Sequence, residues 1–437
     1  MKRPSKLFPY LFSVGLLAGS AFIASCSKDD DPAPVRPEVE IPTQFSELSA
    51  EQNKAQLEQN GLQMVSNLNA LKDTDGIEAS ISFNHFLSVA ALPENGRLAT
   101  SNKAVKMLML LGKFGAGDAK ASDVMKSART TEETEPSTPQ EYFDDLKGTY
   151  TYSAANATWT YTEGGDQIVF KFPATKEGTE NNAQFAIYGL TTKHVVNTAA
   201  EYEGDVPTAL KADLTVNGQK KMEYSFSAAY KDNGEPTSVN TSLTLDAFKF
   251  SFDAKNTTSE VGVNYSLTKS GTNLISFGAG AAGNFGSDNI NNSENGGDVV
   301  TSASAYFQIM NIRFAGKADI KSMADAMETA EDIHAEAAAF DANTTFVVFY
   351  ADSKQKIADT EFYGTNEEEE YSYCWDSNGD GIDDECSTWV DTHESIEVRL
   401  VFSDGSKSDL ETYFDIGFEE LEAELTALEE EFEEDLG

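Results

Sequence analysis

Met222-Glu223-Tyr224-Ser225-Phe226-Ser227-Ala228-Ala229-Tyr230 sets an apolar against a polar side chain at nearly every step. A period of two is the mark of a strand with one face buried and the other wet. The pattern repeats on both sides. Downstream come Leu243 and Leu245, then Phe248, Phe250 and Phe252, then Val261, Val263, Tyr265 and Leu267. Upstream come Tyr150 and Tyr152, Trp159 and Tyr161, and Val169, Phe170 and Phe172. The breaks between runs, Asn217-Gly218, Asp232-Asn233-Gly234 and Ser270-Gly271, are hairpin turns. Long strands joined by tight turns predict an antiparallel meander with one face to bury. The fold class that follows is α+β, mainly antiparallel β: a large curved sheet or partial barrel, packed by N-terminal helices and a C-terminal acidic helix.

The helices that could cover the sheet are legible at both ends. Ser49 with Gln52 three residues on is a capping pair, followed by Leu57, Leu62, Val65, Leu68 and Leu71 at helical spacing. Further apolar stretches run over 77–92 and 103–114, so residues 46–114 form a helical segment that packs on the sheet. Residues 115–140 shift to Gly, Ser, Thr, Glu and Pro and predict a linker or long loop. The β-domain then occupies 141–437, interrupted by a helix near 321–340 with Met323, Met327, Ala330, Ile333 and Ala337 on one stripe. Strands resume at Thr345–Tyr350 and Ile396–Phe402. A terminal helix over 416–436 carries Phe418, Leu421, Leu425, Leu428 and Phe432 at steps of three and four, among ten acids. Such a seam either docks on its own domain or pairs with a partner helix.

Charge bounds the partners. The 437 residues hold 73 acidic and 32 basic side chains, a formal net charge of −41. That balance excludes nucleic acid as a partner, since phosphate backbones require Lys and Arg.

Residues 1–25 form a secretory signal: Lys2, Arg3 and Lys6, an apolar stretch from Leu7 to about Ile23, then small residues. Ile23-Ala24-Ser25-Cys26 resembles the lipobox of bacterial lipoproteins. The resemblance implies that Cys26 is acylated and becomes the N-terminus. Ser27-Lys28-Asp29-Asp30-Asp31 resembles the export tag of Bacteroidota surface lipoproteins, which implies an outer-membrane, outward-facing, lipid-anchored protein. Residues 26–45, with Pro32, Pro34, Pro37 and Pro42, read as a tether.

The best candidate for a bound ion lies at 374–386. Cys374 and Cys386, the two cysteines after the leader, suit a disulfide in an oxidising compartment. Between them Asp376, Asn378 and Asp380 fall at alternate positions before Gly381. Ile382 can offer a carbonyl, and Asp384 a further oxygen. Oxygen donors around a sharp glycine turn suit Ca²⁺. The segment resembles thrombospondin type 3 and EF-hand calcium loops, departing from both at Ser387, where a carboxylate is expected.

Catalytic chemistry is not legible, and no residue is assigned to it. Gly278-Ala279-Gly280-Ala281-Ala282-Gly283 formally fits a dinucleotide fingerprint, but the Asn, Ser and Gly that follow begin no helix. His85, His194, His334 and His393 form no ligand pair, and His85, among Phe83, Phe86 and Leu87, reads as structural. The expectation is a non-enzymatic membrane-anchored protein with a binding or structural role. Its sheet would cup an apolar ligand. Alternatively, aromatics around Trp159, or around Trp375 and Trp389, would bind a glycan or an outer-membrane protein partner. A hydrolase built on two converging carboxylates is the third reading.

Overall fold

The computed structural model describes residues 37, 39–89, 138–197, 202–286, 289, 299–375, 385–410, 413, 421, 423 and 424. The expectations for Cys26, the leader, the tag, the 103–114 stretch and the loop residues Asp376 to Asp384 lie outside the described residues.

Two N-terminal helices form as the capping and periodicity predict. Helix α1 (Ala50–Lys72) starts at Ser49, whose side chain accepts from the Gln52 N–H while the Gln52 side chain accepts from the Ser49 N–H. Helix α2 (Asp75–Val89) follows after a short corner. That corner is pinned to the sheet. The Gly76 N–H donates to Asp246 Oδ2 at 2.9 Å, and Lys221 bridges Asp75 (2.7 Å) and Asp246 (3.1 Å).

A third helix, α3 (Pro139–Leu146), stands at the end of the stretch read as linker. Thr138 caps it with Glu141, Pro139 occupies its first turn, and Tyr142, Phe143 and Leu146 are buried. Its eight residues are too few for periodicity to stand out. The Thr-Pro-x-Glu start was the available signal.

The strands are β1 (Gly148–Ser153), β2 (Thr158–Thr162), β3 (Ile168–Phe172), β4 (Ala183–Asn197), β5 (Tyr202–Val216), β6 (Gln219–Tyr230), β7 (Pro236–Leu245) and β8 (Phe248–Asn256). Then come β9 (Glu260–Lys269), β10 (Thr272–Gly283), β11 (Val300–Ile309), β12 (Ile312–Asp319), β13 (Thr344–Tyr350), β14 (Lys356–Trp375), β15 (Glu385–Val401) and β16 (Lys407–Asp409). They make one open sheet of sixteen strands in the order 16-15-14-13-12-11-10-9-8-7-6-5-4-3-1-2. From β3 to β16 every neighbour is consecutive and antiparallel, and among the described strands the sole parallel pair is β1 with β3. A sheet this wide cannot stay flat, because each strand turns about 20–25° on the last. It curves around the helices laid on its apolar face.

Three apolar clusters line that face. Phe86 and Phe83 of α2 enter an aromatic nest with Tyr150, Tyr152, Phe170 and Phe172. Met64, Val65 and Leu71 of α1 pack on Leu245, Phe248, Leu267 and Leu274. Leu57 packs on Ile312, Val348, Ile357 and Leu400. Leu421 joins the second cluster and lies over Gly61, where an added Cβ would meet the Leu421 side chain. At that residue the terminal segment docks in cis.

The helix expected over 321–340 is two: α4 (Ile320–Met327) and α5 (Ile333–Asn343). Asp319 and Asp332 each cap one, accepting from the Ser322 and Ala335 N–H groups. A second strong cap beginning a new helix is what the continuous stripe concealed.

Candidate functional site

Strict register turns single residues into rows. Across five adjacent strands Phe252, Tyr265, Phe277, Phe307 and Phe314 stand directly opposite one another on the helix-bearing face. None is fully buried. The next row on that face is Ala254, Val263, Ala279, Ala305 and Gly316. Small side chains beside large ones leave a step: an aromatic wall next to a low floor in which Ala254 and Val263 are buried and Gly316 lies under the Phe346 ring, leaving Ala279 and Ala305 partly exposed. Burial pushes the Tyr265 phenol above its usual range. It pushes that of Tyr224, three strands away on the same face, up to about 12. Helices α1 and α4 both contact β11, one of the five strands that carry this trough.

Across β6–β10 the opposite face is polar, whereas farther along it Val39 and Ile41 pack on Ala315, Val347, Phe349 and Tyr306. Ser225, Ser242, Ser251, Ser266 and Ser276 form a row across β6–β10. Asp253 on this face is half-buried, and burial raises its pKa while the Asn264 amide, donating at 3.5 Å, and Lys255 oppose the rise. Its register neighbours are Asn240 and Asn264, so no second acid stands directly beside it.

The longest strands make a projecting arm. β14 and β15 pair without interruption from Asp359↔Val401 to Trp375↔Glu385. β13 reaches only Asp359 on one side, and β16 only Arg399 on the other. Beyond these the arm is two strands wide for about 50 Å at ~3.3 Å per residue. Helix α5 covers its base, where Phe340 packs on Phe362 with ring centroids 5.7 Å apart. A Cβ at Gly364 would sit 2.8 Å from the Ile333 carbonyl oxygen, so that close approach requires glycine. Farther out the apolar side chains face water: Tyr371 is 38% exposed, Trp389 51%, Val390 56% and Tyr373 62%. Tyr371 and Trp389 lie directly opposite, with ring planes 20° apart.

Cys374 and Cys386 form the expected disulfide, also directly opposite in register, with Cα atoms 4.0 Å apart. A lone two-stranded ribbon is marginal in water. The crosslink therefore holds the end of the arm that, among the described residues, no third strand supports.

At the arm's base Arg399 donates to Glu361 through Nε (3.2 Å) and Nη2 (2.9 Å), and Lys407 joins the pair. These partners, Arg399 foremost, hold Glu361 at about 2. Tyr363 donates to Asp409 at 2.6 Å, which pushes its phenol up to about 12. A carboxyl whose folded pKa is depressed stabilises above its unfolded value, about 4.3. That contribution is lost as the pH falls from there toward about 2. Glu361→Gln is expected to cost about 1 kcal/mol at pH 7 after solvent screening, and nothing near pH 2. Urea unfolding of both proteins at pH 7, 4 and 2 checks this. A gap independent of pH refutes it.

Several expectations change here. Trp159 belongs to no surface platform: it is 3% exposed, and its Nε1–H donates to the Phe86 carbonyl. Gly278 to Gly283 continue strand β10, hydrogen-bonded on both sides, and make no phosphate loop. His334 is exposed, and His194 pairs with Asp205 at 2.9 Å. β15 begins eleven residues before the strand read at Ile396, and β14 went unread. Tyr371, Tyr373, Trp389 and Val390 stay exposed on the arm, so no buried face imposes on them the alternation that betrays a strand. Among the described residues no group of three His, Cys, Asp or Glu side chains is placed to hold a metal ion, and no helix is long and apolar enough to cross a membrane.

Comparison with protein-family models, with curated proteins and with solved structures finds no match.

Proposed function

We propose that this protein is an outer-membrane lipoprotein, anchored through Cys26 and facing the cell exterior, that holds an apolar ligand such as a lipid chain against its sheet. The observation that carries this reading is the trough: five aromatics in register beside a row of Ala, Val and Gly. A core meant only to be filled places complementary large and small residues on facing elements. Here the small residues line one stretch of one face; Phe346 closes over Gly316, and Ala254 and Val263 are buried, while Ala279, Ala305 and the aromatics beside them stay partly open. Apolar area taken from water contributes about 25 cal/mol per Å², so an acyl chain laid along the row would bind without any charged contact. Such binding should survive high salt.

The test is titration with a fluorescent fatty-acid analogue, followed by displacement with an unlabelled phospholipid and mass spectrometry of solvent extracts of the purified protein. Saturable, displaceable binding that is insensitive to salt is expected. A probe that neither brightens nor saturates overturns the reading.

The loop at the end of the arm is proposed as a weak Ca²⁺ site, with Asp376, Asn378, Asp380 and Asp384 as side-chain donors and Ile382 offering its carbonyl. The disulfide supports this, because it keeps the two ends of the loop together before any ion arrives. With Ser387 in place of a final carboxylate, affinity should fall in the ~10⁻⁴–10⁻³ M class. Calorimetry with millimolar Ca²⁺ should give a heat for the wild type that Asp380→Ala loses. Equal heats, or none, remove the site.

A further inference from the structure

Two arginines lie among the described residues, and each is held flat on a tyrosine ring. The guanidinium carbon stands 4.3 Å from the Tyr363 centroid for Arg399, and 4.5 Å from the Tyr306 centroid for Arg313. Arg399 also meets a carboxylate, Glu361, at 2.9 Å. Arg313 meets none. Its Nε donates to Gln308 Oε1 at 2.7 Å, and its two Nη groups have no partner among the described residues. Gln308 is buried and fixed in turn, its amide donating to the Met310 carbonyl at 2.6 Å. A chain with 73 acidic and 32 basic side chains has carboxylates for every cation, yet this fork is oriented without one. A planar guanidinium so fixed matches two oxygens of a phosphate or carboxylate.

The N-terminal segment points to where such an anion comes from. Residues 37–45, expected as part of a tether, cross this same face. The Ser304 hydroxyl donates to the Pro37 carbonyl at 3.2 Å, and Val39 and Ile41 pack with Tyr306, Ala315, Val347 and Phe349. Phe45 then bridges to Lys356, and α1 begins at Ala50 on the other face. Tyr306 thus belongs to the ground under this segment and also carries Arg313. Eleven positions separate Pro37 from Cys26, a span of at most about 40 Å when fully stretched. An acylated Cys26 would hold Pro37, and the face it lies on, within that distance of the headgroup layer.

We propose that Arg313 receives the phosphate group of a membrane lipid headgroup, its fork oriented by Tyr306 and Gln308. The source of the anion rests on the anchor at Cys26. The fork does not, and neither involves the trough.

The experiment titrates the mature chain, carrying Cys26→Ala, with phosphatidylcholine vesicles that contain or lack phosphatidic acid, at physiological ionic strength. Both vesicles offer acyl chains, so the difference between them cancels any binding in the trough. A net charge of −41 repels an anionic surface, so a preference for phosphatidic acid requires a local cation. Arg313→Lys keeps the charge and loses the fork. It should weaken binding to the phosphatidic acid vesicles at least about threefold, within the range of a part-exposed ion pair, and leave the neutral vesicles unchanged. Arg313→Gln should lose more, and Arg399→Lys, whose cation already has Glu361, should change neither. Equal binding by wild type and Arg313→Lys overturns the proposal, as does a matching loss in Arg399→Lys. So does inorganic phosphate that binds through Arg313 while the vesicles show no preference, which would make the anion a free one. Acyl labelling of Cys26 is a separate measurement, so the anchor and the fork can each fail alone.

Discussion

Cys26→Ala should move the protein wholly from the membrane fraction to the soluble fraction and abolish incorporation of labelled fatty acid. The expectation follows from the energetics of anchoring. Each buried methylene contributes about 0.8 kcal/mol, so one acyl chain holds a protein only marginally, whereas the two or three chains of a mature lipoprotein hold it firmly. No described helix is long and apolar enough to substitute for them. Cell fractionation with acyl labelling measures the effect. Retention of the Ala variant in the membrane, with label, would remove the anchor from the proposed function.

Filling the trough should abolish ligand binding without unfolding the chain. Ala279 and Ala305 stand directly opposite each other on β10 and β11, beside Phe277 and Phe307. Replacing either with Trp lays an indole over the row of small residues, where the ligand is proposed to lie. If the space is kept for a ligand, Ala279→Trp or Ala305→Trp should weaken the fatty-acid probe at least about tenfold, the ~1.4 kcal/mol that an excluded segment of chain easily exceeds. The melting temperature should hold. If the space is instead taken by the protein's own packed atoms, the indole overpacks it and costs about 1–3 kcal/mol. Thermal unfolding separates the two outcomes: an unchanged melting temperature with binding lost supports the trough, and a lowered one, with the wild type already unable to bind, sinks it.

The meander, its burying helices and the disulfide were decided locally. Met222, Tyr224, Phe226 and Ala228 alternate because one strand face meets the core, and that requirement is written into each strand separately. Ser49 and Gln52 cap α1 with atoms three residues apart. Cys374 and Cys386 lie 12 positions apart and could be paired from spacing. The trough and the arm are of another kind. Phe252 and Phe314 are 62 positions apart, and nothing near either says that three more aromatics will stand between them. Only the register of five strands makes them a wall. Trp159 and Trp389 are the same residue type in similar polar surroundings of sequence, yet one is 3% and the other 51% exposed. The difference is that α2 packs over the first, while beyond Asp359 and Arg399 no third strand among the described residues reaches the second. Sequence fixes what a side chain can do; which neighbours arrive to cover it depends on where distant strands end, and that is settled only when the whole sheet has formed.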